Sequence, residues 1–275
     1  METLSGSLVR AIFNECSLRD VLNASYTCRA WRRILLPYLR DTYSLRKYLY
    51  PFHDSKSLLK VFRETGALLS GGRALAYFLP KLRRFSNASQ DWDIFVPFPY
   101  FQIVHKEILS QGFYEVERTK GQPNEERFLV HDYLNVENAK VQVVALTAER
   151  SMCDCIMDFH MSVVQNAITG WGCFILNWEY TFANRGWLAE RLSGYPEYQM
   201  TAQMKYANYG ISIMSWADWE DKNLEARKVF VVRWKPDTND DGEGTMSLTD
   251  WKALLSAGMQ SDSISSLCGT CDRYT

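Results

Sequence analysis

Apolar residues at helical spacing dominate the start of the chain. Leu8, Ile12 and Phe13 are the first of them, and such spacing is typical of a helix with one buried side. The pattern predicts helices across residues 7–48, with a bend or break at Pro37 because proline has no N–H to donate. We therefore expect a helical N-terminal region.

Two local signals support helices in this part of the chain. Ser17 is followed three residues later by Asp20, and this pairing is a helix-start signature. A further helix is predicted at about residues 55–64, and Gly66 is expected to end it because glycine adopts the left-handed conformation that closes helices.

From residue 67 onward, short apolar runs alternate with helical stretches, which predicts a sheet with flanking helices. We expect strands at Ala67–Ser70, Trp92–Val96, Phe113–Arg118, Arg127–Leu134, Lys140–Leu146 and Lys228–Trp234. We expect helices through Ala74 to Phe78 and at Tyr100–Gln111, Met152–Ile168 and 248–257. The predicted class is α+β, with a small N-terminal helical module, a mixed sheet with flanking helices, and a C-terminal extension of helix and strand.

The composition is that of a packed globular protein, with 47% hydrophobic and 23% charged residues. The opening segment carries the acid Glu2, and no basic or long apolar run follows it. We therefore expect neither a secretory signal nor a membrane span. The 7 cysteines are odd in number and scattered, which favours reduced thiols in the cytoplasm or nucleus.

Charge is distributed unevenly along the chain. Residues 1–90 contain 15 Lys and Arg against 6 Asp and Glu, whereas residues 91–275 contain 16 against 26. A basic front and an acidic back indicate either two surfaces that meet different partners or two halves that attract each other.

The run from Leu8 to Arg33 includes Ser-Leu-Arg-Asp-Val-Leu and Thr-Cys-Arg-Ala-Trp-Arg-Arg. It resembles an F-box, a helical module that docks a Skp-type adaptor in a cullin ubiquitin ligase. The resemblance implies a module over residues 1–52 and the apolar anchors Leu8, Ile12, Leu18 and Trp31. The alternative is that these side chains pack the helices against the rest of the chain. An F-box usually opens with Leu-Pro and then Glu, whereas this chain has Leu-Ser-Gly-Ser.

A second resemblance lies between Leu68 and Val96. Leu-Leu-Ser-Gly-Gly-Arg-Ala-Leu is followed by Ser-Gln-Asp-Trp-Asp-Ile-Phe-Val, and this order resembles the signature of the nucleotidyltransferase (polymerase β-like) superfamily. The gap of 18 residues between Gly72 and Asp91 is longer than the usual family pattern. The resemblance implies a nucleotidyltransferase-like domain over residues 53–259. The last stretch, residues 260–275, is Ser-rich, and we expect it to be a flexible tail.

The residue types suit phosphate chemistry. Asp91 and Asp93 are two apart on a predicted strand, so both carboxylates point to one face, where they can hold Mg²⁺ against a nucleoside triphosphate. Gly71 and Gly72 let backbone N–H groups approach phosphates at a helix N-terminus, and Ser70 and Arg73 flank them. The alternative is a strand end with two surface acids.

The catalytic set is incomplete in one place. The superfamily's third acid, on a later strand, corresponds to Gln142, and an amide carries no negative charge. If the hairpin centres near Glu137, Asp132 lies across from Gln142 and is the candidate replacement acid. A register slip of one residue would turn Asp132 to the other face.

Two further groups have open roles. The basic run of Lys81, Arg83 and Arg84 either meets an anionic substrate or forms a solvated helix end. Asp158 and His160, expected on the long helix, are interpreted as structural, with a catalytic dyad as the alternative.

Two functions follow from the sequence. The first is binding of a nucleoside triphosphate with Mg²⁺, with weak or absent nucleotidyl transfer to RNA, protein or a small molecule. The second is a non-enzymatic adaptor that uses the F-box to reach a ubiquitin ligase and the degenerate transferase fold for recognition.

Overall fold

The computed structural model describes residues 5–85, 91–119, 128–147, 152–188, 196–214 and 230–233. Helices and strands are both abundant, which confirms the α+β class. In chain order the helices are α1 (Gly6–Phe13), α2 (Leu18–Thr27), α3 (Arg29–Thr42), α4 (Leu45–Tyr48), α5 (Ser55–Thr65), α6 (Gly71–Phe78), α7 (Phe101–Ser110), α8 (Met152–Met157), α9 (Trp178–Phe182) and α10 (Pro196–Asn208). Short 3₁₀ segments occur at Pro80–Phe85, Phe98–Tyr100 and Ser162–Val164.

The predicted helix boundaries near the N-terminus are confirmed. The Ser17 side chain accepts from the Asp20 backbone N–H at 3.2 Å, and Asp20 Oδ2 accepts from the Ser17 backbone N–H at 3.3 Å, which together form a capping box. Gly66 closes α5 in the left-handed conformation at φ 70°. Of the bend or break predicted at Pro37, the break is wrong, because α3 runs through it. Buried Leu35 and Leu39 hold the turns on either side, and we attribute the continuity of α3 to this packing.

Eight strands form one mixed sheet in the described residues. They are β1 (Leu68–Ser70), β2 (Trp92–Pro97), β3 (Tyr114–Thr119), β4 (Phe128–Leu134), β5 (Lys140–Leu146), β6 (Asn166–Thr169), β7 (Gly172–Ile175) and β10 (Phe230–Arg233). Two further strands, β8 (Arg185–Trp187) and β9 (Ser212–Met214), form a separate parallel pair. The order in the eight-stranded sheet is β10-β7-β6-β1-β2-β5-β4-β3. β2 and β5 pair in parallel, and the other neighbours in this described sheet run antiparallel.

The predicted long helix at Met152–Ile168 is wrong. The helix ends at Met157, and β6 begins at Asn166. The last residues of the apolar run enter the sheet, where β6 pairs with both β1 and β7. Periodicity alone cannot separate a short buried strand from a buried helix. Asp158 and His160 therefore lie outside any helix. The predicted helix at 248–257 and the tail at 260–275 fall outside the described residues.

The hydrophobic core crosses the expected module boundary at residues 52–53. One buried cluster runs from Val9 in α1 to Ile211 beside β9. Trp92 in β2 is fully buried and contacts Tyr48 and Phe52, with ring centroids 5.6 and 5.5 Å apart. The N-terminal helices therefore share a core with the sheet. No helix within the described ranges is long and apolar enough to cross a membrane.

Candidate functional site

A row of polar side chains crosses the centre of the sheet. Ser70, Asp93, Gln142 and Asp132 occupy directly paired positions on β1, β2, β5 and β4. Paired positions on neighbouring strands share a face, so these four residues lie on one side of the sheet. The predicted register that places Asp132 across from Gln142 is confirmed.

The alternation expected along β2 is also confirmed. Trp92 and Ile94 are fully buried, whereas Asp91 and Asp93 are only partly buried. The two carboxylates are close enough that the charge of Asp91 acts on Asp93. The strand therefore presents two acids on the face that carries the polar row.

Gln142 takes part in a hydrogen bond within the row. Its Nε2 donates to Asp132 Oδ1 at 3.0 Å. An amide N–H donor compensates a carboxylate in a way that a second carboxylate cannot. Gln142 and Asp132 therefore form a hydrogen-bonded pair between β5 and β4 that contains one carboxylate instead of two.

Lys140 joins the acids of two segments, and the sequence interpretation did not include it. Its Nζ lies 3.1 Å from Asp91 Oδ2 and 3.2 Å from Asp132 Oδ2. Lys140 opens β5 two residues before Gln142, so both side chains face the same way. That spacing is the sequence signal that would have found it.

Gly71, at the start of α6, lies next to the carboxylate of Asp93. Gly71 opens α6 at φ 75°, a conformation that glycine adopts readily. A Cβ added there would lie 2.5 Å from Asp93 Oδ2. The carboxylate of Asp93 therefore lies directly against the N-terminal end of α6, where the sequence predicts a phosphate.

The pKa of the Asp93 carboxyl group is raised well above its ordinary value. Its burial, and next the negative charge of Asp91, raise the pKa of Asp93 to about 7. The positive charges of Lys205, Lys140 and Arg73 oppose this rise. Lys205 comes from α10, which the sequence interpretation did not connect with the site.

The other residues predicted for phosphate binding have structural contacts. The Ser70 hydroxyl donates to the backbone carbonyl of Asn166, and Ser70 is fully buried. Arg73 is also buried, with its guanidinium 4.9 Å from the centre of the Trp92 ring. Gly72 is buried in the first turn of α6. Ser70 and Arg73 therefore already have contacts in the core, and Gly71 is the glycine that borders the Asp93 carboxylate.

Arg83, one residue of the basic run after α6, contacts the core. Arg83 donates hydrogen bonds to the carbonyls of Thr42, Ala76 and Tyr77 at 2.7, 3.1 and 3.0 Å. Its guanidinium also lies 5.0 Å from the ring centre of Tyr48. Arg83 therefore links the N-terminal helices to α6, a role that neither sequence alternative included.

The predicted adaptor anchors separate into two groups. Leu8 and Ile12 on α1 are each 44% exposed, whereas Leu18 is fully buried. Trp31 is half-buried and meets Phe13 edge to face, with ring centroids 5.7 Å apart. Among these four anchors, Leu8 and Ile12 therefore form an exposed apolar pair, one helical turn apart.

The donor set is compatible with one Mg²⁺ ion and not with two. Asp91 and Asp93 supply carboxylates on one face, but the third position holds an amide and Lys140 already bridges Asp91 and Asp132. Within the described ranges, no three or more His, Cys, Asp or Glu side chains converge as a metal cluster. The sequence interpretation places the third acid of two-metal chemistry at the position of Gln142, where the chain has an amide.

Comparison of the chain with protein-family models, with curated proteins and with solved structures finds no match.

Proposed function

We propose that the chain is a nucleotide-binding protein with a nucleotidyltransferase-like site and weak or absent transfer activity. The supporting observation is the polar row, in which Asp93 lies between Gln142 on β5 and the glycine loop of α6. The triphosphate would lie at the start of α6, whose first N–H groups and dipole favour an anion.

One Mg²⁺ ion would be held by Asp91 and Asp93. When bound, it would neutralise phosphate charge and orient the phosphates. The chain's own groups position this site: Trp92 anchors β2 in the core, and Gly71 admits the Asp93 carboxylate to the end of α6.

Gln142 is the reason to expect little transfer. A general base at this position must accept a proton from the attacking hydroxyl, and the Gln142 amide carries no charge with which to do so. Asp132 accepts a hydrogen bond from Gln142, but each of its oxygens already has a donor, from Gln142 and from Lys140. If transfer occurs, its acceptor would be a hydroxyl of RNA, protein or a small molecule.

Nucleotide binding is tested by a thermal-shift scan with ATP, CTP, GTP and UTP, each with Mg²⁺ or Mn²⁺. We expect a stabilisation of about 1–3 kcal/mol at saturating ligand, lost in the Asp91→Ala/Asp93→Ala variant. Glu64→Ala is the matched control, because this carboxylate is 57% exposed on α5. No shift with any nucleotide would reject the proposal.

A second function is supported by the exposed pair Leu8 and Ile12. We propose that α1 offers these side chains to a Skp-type adaptor of a cullin ubiquitin ligase, in a helix-in-groove contact. In that case the transferase-like fold serves recognition. Leu18 is unsuitable as a contact residue, because it is fully buried in the core.

Adaptor binding is tested by co-purification with a Skp-type adaptor. Leu8→Asp/Ile12→Asp should abolish it while leaving the melting temperature nearly unchanged. Val136→Asp is the control, since Val136 is 89% exposed and lies in the β4–β5 turn. Equal recovery of adaptor with both variants would contradict the adaptor function.

A further inference from the structure

The ammonium group of Lys140 has an unusual position in the site. It lies within 3.2 Å of carboxylate oxygens from two separate parts of the chain, Asp91 before β2 and Asp132 on β4. A divalent ion in a two-metal site is likewise bound between carboxylates from different parts of the chain. A lysine ammonium can occupy such a position, because it is a compact point charge with three donors.

Both oxygens of the Asp132 carboxylate have a hydrogen-bond donor. Asp132 receives Gln142 Nε2 on Oδ1 and Lys140 Nζ on Oδ2. The Lys140 ammonium thus lies between two carboxylates, and each of them favours its charged form.

We propose that Lys140 is a built-in cation that takes the place of a divalent metal ion between Asp91 and Asp132. Gln142 and Lys140 then act together. Gln142 adds no negative charge beside Asp132, and Lys140 supplies a positive charge between Asp91 and Asp132, so no second metal ion is needed there. The inference rests on the nucleotidyltransferase-like layout proposed above, but its test uses metal alone and needs no nucleotide.

The experiment is calorimetric titration of the full chain with MnCl₂. Lys140→Met should bind Mn²⁺ at least about tenfold more tightly than the unmodified protein, because it opens the position between two carboxylates. Adding Asp132→Asn to Lys140→Met should remove this gain, which locates the ion at Asp132 rather than at Asp91 and Asp93 alone. Lys140→Arg keeps the positive charge and should retain the low affinity.

Lys205→Met is the matched control for a general electrostatic effect. Lys205 acts on Asp93 through its charge at least as strongly as Lys140 does, but Lys140 is the lysine that bridges Asp91 and Asp132. We expect less than a threefold change in Mn²⁺ affinity for Lys205→Met. The inference is overturned if Lys140→Met gains no affinity, or if Lys205→Met gains as much. Circular dichroism and the melting temperature of each variant establish that it is folded.

Discussion

Gln142 Nε2 donates a 3.0 Å hydrogen bond to Asp132 Oδ1 from the directly opposite position on the neighbouring strand. The pair stands where two acids would repel each other if Gln142 were a glutamate. The Gln142 amide therefore stabilises the pairing of β4 with β5, in addition to taking the place of an acid.

Gln142→Glu tests this role. The substitution removes a donor to Asp132 and sets two negative charges opposite each other, so we expect the free energy of unfolding to fall by about 1–3 kcal/mol without metal. Saturating Mg²⁺ should recover part of that loss by binding between the two acids. Urea denaturation with and without MgCl₂ measures both effects. Gln142→Met removes the donor without adding charge, and Mg²⁺ should stabilise it no more than it stabilises the unmodified protein.

Gly71→Ala should destabilise the protein more than Gly210→Ala does. Both glycines have φ 75°, so alanine at either position carries the cost of a left-handed conformation, about 1–2 kcal/mol. A Cβ at Gly210 meets nothing within 4 Å, whereas one at Gly71 comes 2.5 Å from Asp93 Oδ2. Chemical denaturation of the two variants measures the difference. Asp93→Ala should reduce the penalty of Gly71→Ala to the level of Gly210→Ala, and an unchanged penalty would contradict the contact.

Asp93 makes stability depend on pH. Because its folded-state pKa is raised from 3.8 to about 7, its contribution to stability is fully present below about pH 4 and is lost as pH rises to 7. Asp93→Asn removes this titration. The variant should therefore gain about 2–4 kcal/mol in free energy of unfolding over the unmodified protein between pH 4 and 8. Denaturation curves across this range give the difference, and a constant difference at all pH values would contradict the raised pKa.

Local patterns predicted the strands around the site well. The alternation of Trp92 and Ile94 with Asp91 and Asp93 identified both faces of β2, and the symmetry of the hairpin placed Asp132 opposite Gln142. Both inferences depend on the two-residue period of a strand. That period is a property of the local backbone and is therefore visible in the sequence.

Long-range contacts were not visible in the same way. Arg83 was interpreted either as a contact for an anionic substrate or as part of a solvated helix end, but it donates to Thr42, which is 41 residues away. The interpretation of Ser70 as a phosphate ligand did not include the hydrogen bond that its hydroxyl donates to Asn166 on β6, the strand paired with β1. Such partners are set by the order of strands and helices in the fold, and the periodicity of a single segment does not contain that order.

The shared core leads to a final prediction about the N-terminal helices. Leu18→Ala should lower the free energy of unfolding by about 2–5 kcal/mol, because Leu18 is fully buried. Leu8→Ala is the matched control on α1, where the side chain is 44% exposed, and it should change stability by less than about 0.5 kcal/mol. Since the helices and the sheet bury one continuous cluster, far-UV circular dichroism and tryptophan fluorescence should report a single coincident transition in urea. Two separate transitions, with Leu18→Ala shifting only one of them, would mean that residues 1–52 fold as an independent module.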